Sequence, residues 1–180
     1  QIADDARATR FHVIIDHRSH PTNSLICSEM SAWQGPAILI FNNGIFSPPD
    51  FDSLMRIRVG GKQTDDTMIG KHGLGFNSCY HFTDVPSLIS GDSIVFLDPQ
   101  ERFLRRGGDF QRGIKCPFPR NGIHQVPDRD QLVPFEGIEG IDFRSTFNGT
   151  LFRIPLRTVA SEISDATFTP EAIIRLFEDI

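Results

Sequence analysis

Ile69–Ser78 reads IGKHGLGFNS and places three glycines at the start of an expected helix over residues 74–81. Glycine has no Cβ atom, so the backbone of such a loop can approach a ligand closely. The first N–H groups of a helix have no partner inside the helix, and the helix dipole makes this end positive. The stretch therefore predicts a phosphate-binding loop, with an ordinary loop-to-helix turn as the alternative.

The composition indicates one globular domain over residues 1–180, because 39% of the chain is hydrophobic and this length can bury a sizeable core. The formal net charge of −5 disfavours nonspecific binding to nucleic acid or to an anionic membrane, so neither is expected as a partner. No apolar run approaches the roughly 20 residues that span a bilayer. The three cysteines lie far apart and form no disulfide or zinc pattern. We therefore expect a soluble cytoplasmic protein.

The N-terminus begins inside a helical pattern over residues 1–9, with no capping residue before it. Helices in complete domains usually start after a residue that bonds their first free N–H groups. We therefore expect a domain excised from a longer protein, with its first strand upstream of residue 1.

Three apolar segments predict strands. Phe11–Asp16 and Ala37–Phe41 are rich in β-branched and apolar residues, as buried strands are. Asn42-Asn43-Gly44 follows the second segment directly and places polar side chains at the end of a strand. Gly149–Leu156 predicts a late strand, with Pro155 near its end because proline cannot donate to a β-ladder. Two shorter apolar runs, 87–90 and 93–97, flank Gly91-Asp92 and predict a hairpin.

Two segments carry helix signals. Ser47-Pro48-Pro49-Asp50 supplies a capping residue, a proline in the first turn and an acid three residues after the cap. Thr169-Pro170-Glu171 opens a second helix in the same way. The apolar positions expected to face the core in these two helices are Phe51, Leu54 and Met55, and Ile173, Ile174, Phe177 and Ile180. Residues 59–68 predict a surface lid, and 99–140 predict only loops and short helices.

Asp16, His17 and His20 have side chains that bind metals, but they follow a strand in an ordinary loop without a clear third ligand. We therefore assign no metal site to them.

Four clusters in chain order resemble the boxes of the GHKL ATPase superfamily, to which gyrase B and the histidine kinases belong. They are Ala3-Asp4-Asp5-Ala6, Asn42-Asn43-Gly44, the glycine loop and Gly149-Thr150. Within that superfamily the chain is most similar to the chaperone-like repeat of sacsin and related large proteins. The motifs that carry this second resemblance include Gln34-Gly35-Pro36-Ala37, Tyr80-His81-Phe82-Thr83-Asp84-Val85-Pro86, Ser90-Gly91-Asp92 and Leu97-Asp98-Pro99.

The resemblance implies an α+β Bergerat fold, a two-layer sandwich in which helices cover one face of a mixed, mostly antiparallel sheet. It also implies bound ATP or ADP beneath a lid. The residues it assigns to the nucleotide are Asp5 from the first box, Asn42, Asn43 and Gly44 at the adenine-reading position, Gly70, Gly73, Gly75 and the Phe76 N–H around the phosphates, and Thr150 as support for the adenine-reading group.

One departure from the superfamily pattern affects adenine selectivity, and two others weaken catalysis. Asn42 or Asn43 stands where an aspartate accepts a hydrogen bond from adenine, so adenine selectivity is expected to be looser. Ile2 stands at the usual asparagine ligand of magnesium and offers the cation no oxygen. The glutamate that would polarise the attacking water falls four positions before Ile2. No residue of this chain is therefore assigned a catalytic role.

Two functions remain open from the sequence. The first is an ATP-binding, co-chaperone-like module with weak or absent hydrolysis, whose partners are client or co-chaperone proteins and neighbouring domains of the same polypeptide. The alternative is a nucleotide-free scaffold or interaction domain that keeps the GHKL fold. Intact phosphate glycines favour the first function, whereas Ile2 and the asparagine pair favour the second.

Overall fold

The computed structural model of the protein describes residues 8–56 and 76–178. The eight strands in these ranges are β1 (Phe11–Asp16), β2 (Ala37–Asn42), β3 (Ser87–Gly91), β4 (Ser93–Leu97), β5 (Arg105–Arg106), β6 (Asp109–Phe110), β7 (Gly113–Pro117) and β8 (Phe147–Pro155). The α-helices are α1 (Pro48–Arg56) and α2 (Pro170–Glu178). A six-residue 3-10 helix occupies Ser28–Trp33, and shorter 3-10 turns occupy Ser78–His81, Ile123–Gln125, Arg129–Gln131, Val133–Phe135 and Ile138–Gly140.

Six strands form one sheet in the order β1-β2-β8-β3-β4-β7, and every described pairing in it is antiparallel. β5 and β6 form a separate small hairpin. The late strand β8 lies in the middle of the large sheet, between β2 and β3. The mostly antiparallel sheet of the predicted fold class is therefore confirmed.

Helices cover one face of the sheet, as predicted. Alternate residues of β2 and β8, such as Ile38 and Phe152, contact Phe51 and Leu54 of α1 and Ile173 of α2 in one buried cluster. Asp50 in the first turn of α1 fixes the start of this helix, because its carboxylate accepts the Ser47 N–H at 2.7 Å and the Ser47 hydroxyl at 2.6 Å. We call this side of the sheet the helical face.

The second face of the sheet is also covered, which the predicted two-layer arrangement did not include. Leu39, Ile89 and Leu151 on this face are 0% exposed and belong to a second cluster with Leu132 and Phe135. These last two residues come from the 3-10 turns between β7 and β8. A layer of short turns therefore completes the core on the side opposite the helices.

Two predictions of burial were wrong. β1 was expected to be a buried strand, but it lies at the edge of the sheet, where Phe11 is 56% and Val13 39% exposed. In α2 only Ile173 is buried, at 1% exposure, whereas Ile174 and Phe177 are exposed. β1 has only one neighbouring strand, and α2 contacts β1 at this edge of the sheet. The exposed residues of β1 are its first three, whereas its last three are partly or fully buried.

Residues 99–140 contain more order than the sequence predicted. β7 pairs with β4 and closes the second edge of the sheet. The buried Asp98 fixes the turn that follows β4, since its Oδ2 accepts hydrogen bonds from three successive N–H groups, those of residues 102–104, at 2.7–2.9 Å. The predicted hairpin of β3 and β4 is confirmed, and Gly91 has the positive φ of +55° that the first position of a type II′ turn requires.

Candidate functional site

Three polar residues form a row across the helical face. Asn42 of β2 lies opposite Thr150 of β8, and Thr150 lies opposite Ser90 of β3. Strand alternation places them on the same side as Ile38, Phe152 and the other residues beneath the helices. All three are buried, with 2%, 0% and 1% of their surface exposed. We call Asn42, Thr150 and Ser90 the polar row.

Hydrogen bonds connect this polar row to the turn after β2. The Thr150 hydroxyl donates to the Gly44 carbonyl oxygen at 2.8 Å, and the Gly44 N–H donates to Asn42 Oδ1 at 2.9 Å. Because Thr150 donates its only proton to Gly44, the Ser90 hydroxyl donates to Thr150 Oγ1, at 2.7 Å. Ser90 Oγ in turn accepts the Phe46 N–H at 2.8 Å. The polar row thus holds the backbone of residues 44–46 against the ends of three strands.

Asn43 points toward the chain before β1 instead. Its Oδ1 accepts the N–H groups of Thr9 and Arg10 at 2.8 and 2.9 Å, and its Nδ2 donates to the Thr9 hydroxyl at 2.9 Å. All of these bonds are within the chain. Of the two asparagines proposed to read adenine, only Asn42 therefore belongs to the polar row.

Phe76 lies close to the polar row, although the sequence assigned it a role only through its backbone. Its side chain is 5% exposed, and its ring centroid lies 6.1 Å from that of Phe152, two residues after Thr150 on the same strand. The Phe46 ring lies 6.0 Å from Phe152 as well. The end of the glycine stretch is thereby brought next to the polar row by aromatic packing.

A buried ion pair fixes the segment that follows Phe76. Arg157, two residues after the end of β8, is 0% exposed and donates to Asp84 Oδ1 at 2.7 Å. The same guanidinium donates to the Tyr80 and His81 carbonyl oxygens, at 2.8 Å each. These bonds supply donors to carbonyl groups that have no partner within the last turn of a helical segment. The sequence motif around Asp84 gave this residue no role. The structure shows that Asp84 is the carboxylate partner of the buried Arg157.

Gly149 allows β8 to pass close to β2 beside the polar row. A Cβ atom at this position would lie 2.6 Å from Phe41 Cε2 and 2.8 Å from the Asn42 carbonyl oxygen. The pairing of β8 with β3 shifts register here, passing from Thr150 to Phe147. The two residues of the Gly149-Thr150 pair therefore have different roles. Gly149 leaves room for β2, and the buried Thr150 hydroxyl bonds the turn after β2.

Asp16, the first residue of the rejected metal pattern, belongs to a charged cluster on the opposite face. Burial alone would raise the pKa of Asp16, but hydrogen bonds from His20 at 3.3 Å and Arg18 at 2.7 Å hold that pKa well below its usual range. Burial lowers the pKa of the nearby Arg153 to about 10, and the charge of Asp16 partly opposes this shift. Within residues 8–56 and 76–178, no three His, Cys, Asp or Glu side chains are arranged to hold a metal ion.

Five of the nine predicted nucleotide residues lie in the described part of the chain. Asn42, Gly44 and Thr150 are joined by hydrogen bonds and Phe76 packs nearby, whereas Asn43 bonds the chain before β1. Asp5, Gly70, Gly73 and Gly75 lie outside the described residues, as does the predicted lid. Ser90 was missed as a member of the site. Its signal in the sequence is weak, because the strand SLISG carries two serines, Ser87 and Ser90, and both are buried.

Comparison with known proteins identifies the family. A profile of the Sacsin domain matches residues 1–180. Human Sacsin is 35% identical over 183 residues, which cover 99% of this chain and 4% of Sacsin, so the chain spans a small fraction of that relative. Among the described residues, no helix is both long and apolar enough to cross a membrane. The extent of the profile match and the identity over nearly the whole chain show that the protein belongs to the sacsin domain family.

Proposed function

We propose that this domain is an adenine-nucleotide-binding module with weak or absent hydrolysis, which changes its contacts with protein partners when nucleotide binds. The observation that carries the proposal is the polar row on the helical face. It lies at the strand ends that the GHKL resemblance assigns to adenine, and its hydrogen bonds hold Asn42, Gly44 and Thr150 in one fixed arrangement.

The chemistry of Asn42 fits adenine. A carboxamide pairs with adenine in a bidentate manner, since its oxygen accepts from the N6 amino group and its NH₂ donates to a ring nitrogen. Asn42 Oδ1 uses one lone pair for the Gly44 N–H and keeps a second one. A neutral carboxamide binds less strongly than a carboxylate, so both affinity and base selectivity should be modest.

Hydrolysis is expected to be weak because Ile2 offers no oxygen ligand to magnesium. Magnesium requires near-octahedral oxygen coordination and neutralises charge on the transferred phosphoryl group. Nucleotide would then act as a ligand that stabilises one conformation, without being turned over at a useful rate. The partners of such a module are client or co-chaperone proteins and neighbouring domains of the same polypeptide.

A second candidate function, a nucleotide-free scaffold, is supported by the burial of Asn42. Its side chain is 2% exposed in the structure, and its oxygen is already bonded to Gly44. An adenine ring must displace neighbouring groups to reach it. Were that displacement too costly, the polar row would serve only to hold the turn of residues 44–46.

Thermal unfolding with nucleotide distinguishes the two functions. A ligand at 100 times its Kd stabilises a protein by about 2.7 kcal/mol, which is easily measured. The first function predicts a rise in melting temperature with millimolar ATP or ADP, also in the presence of a magnesium chelator. No rise with either nucleotide would support the scaffold.

The variant Asn42→Asp tests the assigned residue. A carboxylate at this position accepts more strongly from the adenine amino group, so affinity for ATP should increase at least about fivefold, a change of about 1 kcal/mol. Affinity for GTP should not increase, because guanine presents a carbonyl oxygen there. Asn43→Asp is the matched control, since that side chain bonds Thr9 and Arg10 instead. Equal effects of the two variants would contradict the assignment.

A further inference from the structure

A cavity of about 270 Å³ opens on the face of the sheet opposite the polar row. Phe41, Ile141 and Phe147, which belong to the non-helical core cluster, form its apolar walls. The polar or charged residues that line it are Arg10, Glu139, Ser145, Thr146 and Asn148. None of these polar residues belongs to the polar row. A ligand of this cavity would therefore be recognised by groups different from those of the polar row.

Arg10 supplies the main hydrogen-bond donors of the cavity. Within the described residues no carboxylate lies within ion-pair distance of its guanidinium, which lies 5.7 Å from the centre of the Phe41 ring. The backbone of Arg10 is fixed, because its N–H donates to Asn43 Oδ1 at 2.9 Å and its carbonyl accepts the Asn43 N–H at 3.3 Å. The side chain of Arg10 is exposed at the rim of the cavity, and its guanidinium presents a planar fork of N–H groups suited to a carboxylate.

The remaining polar groups of the cavity are mainly acceptors. The Ser145 hydroxyl donates its proton to Asp142 at 3.2 Å, and the Thr146 hydroxyl donates to Asp92 at 2.8 Å. Both oxygens therefore keep only lone pairs for a ligand. Glu139 accepts from His12 Nδ1 through Oε1 at 2.7 Å, and its Oε2 has no hydrogen-bond partner in the described part of the chain. A carboxylate oxygen and two hydroxyl oxygens are suited to an ammonium group.

We propose that this cavity binds a small zwitterion, a molecule such as a free α-amino acid that carries both a carboxylate and an ammonium group. Arg10 pairs with the carboxylate, and Glu139 with the Ser145 and Thr146 oxygens receives the ammonium. A molecule with a single charge would engage either Arg10 or Glu139 Oε2 and leave the other without a contact to the ligand. The volume is close to the lower limit for small-molecule sites, which excludes ligands of nucleotide size.

Matched ligands test the proposal on the unmodified 180-residue chain. L-Glutamine is the zwitterionic probe, N-acetyl-L-glutamine lacks its ammonium group, and L-glutamine amide lacks its carboxylate. Titration is followed through the backbone amide NMR signals of Phe147 and Asn148. We expect saturable binding of L-glutamine and at least about tenfold weaker binding of both blocked forms, since each loses a charge-assisted interaction. Equal binding of a blocked form, or no saturable shift with L-glutamine, overturns the proposal.

Two variants assign the charges. Arg10→Gln and Glu139→Gln should each weaken L-glutamine binding at least about tenfold. Arg175→Gln is the matched control, because Arg175 lies on α2 and does not line the cavity. If Glu139→Gln disturbs the fold, the blocked ligands give the same information on the unmodified chain. Binding that is unchanged in Arg10→Gln overturns the assignment of the carboxylate.

Discussion

Gly149→Ala tests whether β8 must approach β2 closely for the sheet and the polar row to form. The φ of Gly149 lies outside the left-handed region, so alanine is permitted by the backbone itself. The added Cβ atom would instead lie 2.6 Å from Phe41 Cε2 and 2.8 Å from the Asn42 carbonyl oxygen. Both distances are shorter than any ordinary contact of a Cβ atom, so one of the two neighbours must move.

Neither neighbour can move easily. The Phe41 ring is 2% exposed and is held between Phe147 and His12, with ring centroids 6.0 and 5.4 Å away. The Asn42 carbonyl belongs to the backbone at the end of β2. Overpacking of this kind costs about 1 to 3 kcal/mol, and the clash with backbone places Gly149→Ala near the upper limit. Replacing glycine would otherwise gain about 0.4 to 1 kcal/mol from the unfolded chain, so the expected net loss is about 2 kcal/mol.

Equilibrium unfolding in urea measures this loss, with Gly35→Ala as the matched control. A Cβ atom at Gly35 meets nothing within 4 Å, so that variant should keep or slightly increase the free energy of unfolding. In the double variant Phe41→Leu/Gly149→Ala, leucine replaces the ring and removes its contact with the new Cβ atom. The loss should be recovered only in part, because the contact with the Asn42 carbonyl remains. A free energy of unfolding for Gly149→Ala equal to that of Gly35→Ala would refute the reasoning.

Two further predictions concern charged groups. Asp84→Ala leaves the 0% exposed Arg157 without its carboxylate, so the free energy of unfolding should fall by about 3 to 5 kcal/mol. Asp16→Asn should destabilise the protein at neutral pH, and the difference from the wild type should shrink as the pH falls below about 4. The sign follows because hydrogen bonds from His20 and Arg18 lower the pKa of Asp16 in the folded state, so its stabilising effect is lost when the carboxylate is protonated.

Each of these variants has an exposed counterpart. Glu162→Ala removes the carboxylate of a surface pair with Arg102 and should change the free energy of unfolding by no more than about 1 kcal/mol. Asp109→Asn alters an exposed acid of the small hairpin and should change the free energy of unfolding by no more than about 0.5 kcal/mol. A loss in Asp84→Ala as small as that in Glu162→Ala, or a difference for Asp16→Asn that is constant with pH, would contradict the predictions.

Local sequence features predicted those elements whose cause is local. Ser47, Pro48 and Asp50 start α1 because the Asp50 carboxylate accepts the N–H and hydroxyl of Ser47 within the same four residues. The strands β2 and β8 were predicted because near-continuous apolar runs are stable only when both of their faces are buried, as they are at the centre of this sheet. β7 was missed because GIKCP is short, carries a lysine and ends in proline.

The sequence by itself determined which residue types could form the site, and tertiary structure decided which of them meet. Asn42 and Asn43 are adjacent and chemically identical, yet only Asn42 joins Thr150 and Ser90, because the pleat of β2 directs it to the helical face. The exposure of β1 was equally undetermined, since a strand pattern does not say whether a second neighbour exists. Arg157 and Asp84 lie 73 residues apart, and only the fold brings a buried charge to its partner. Such pairings depend on contacts between distant segments, which local periodicity and capping do not encode.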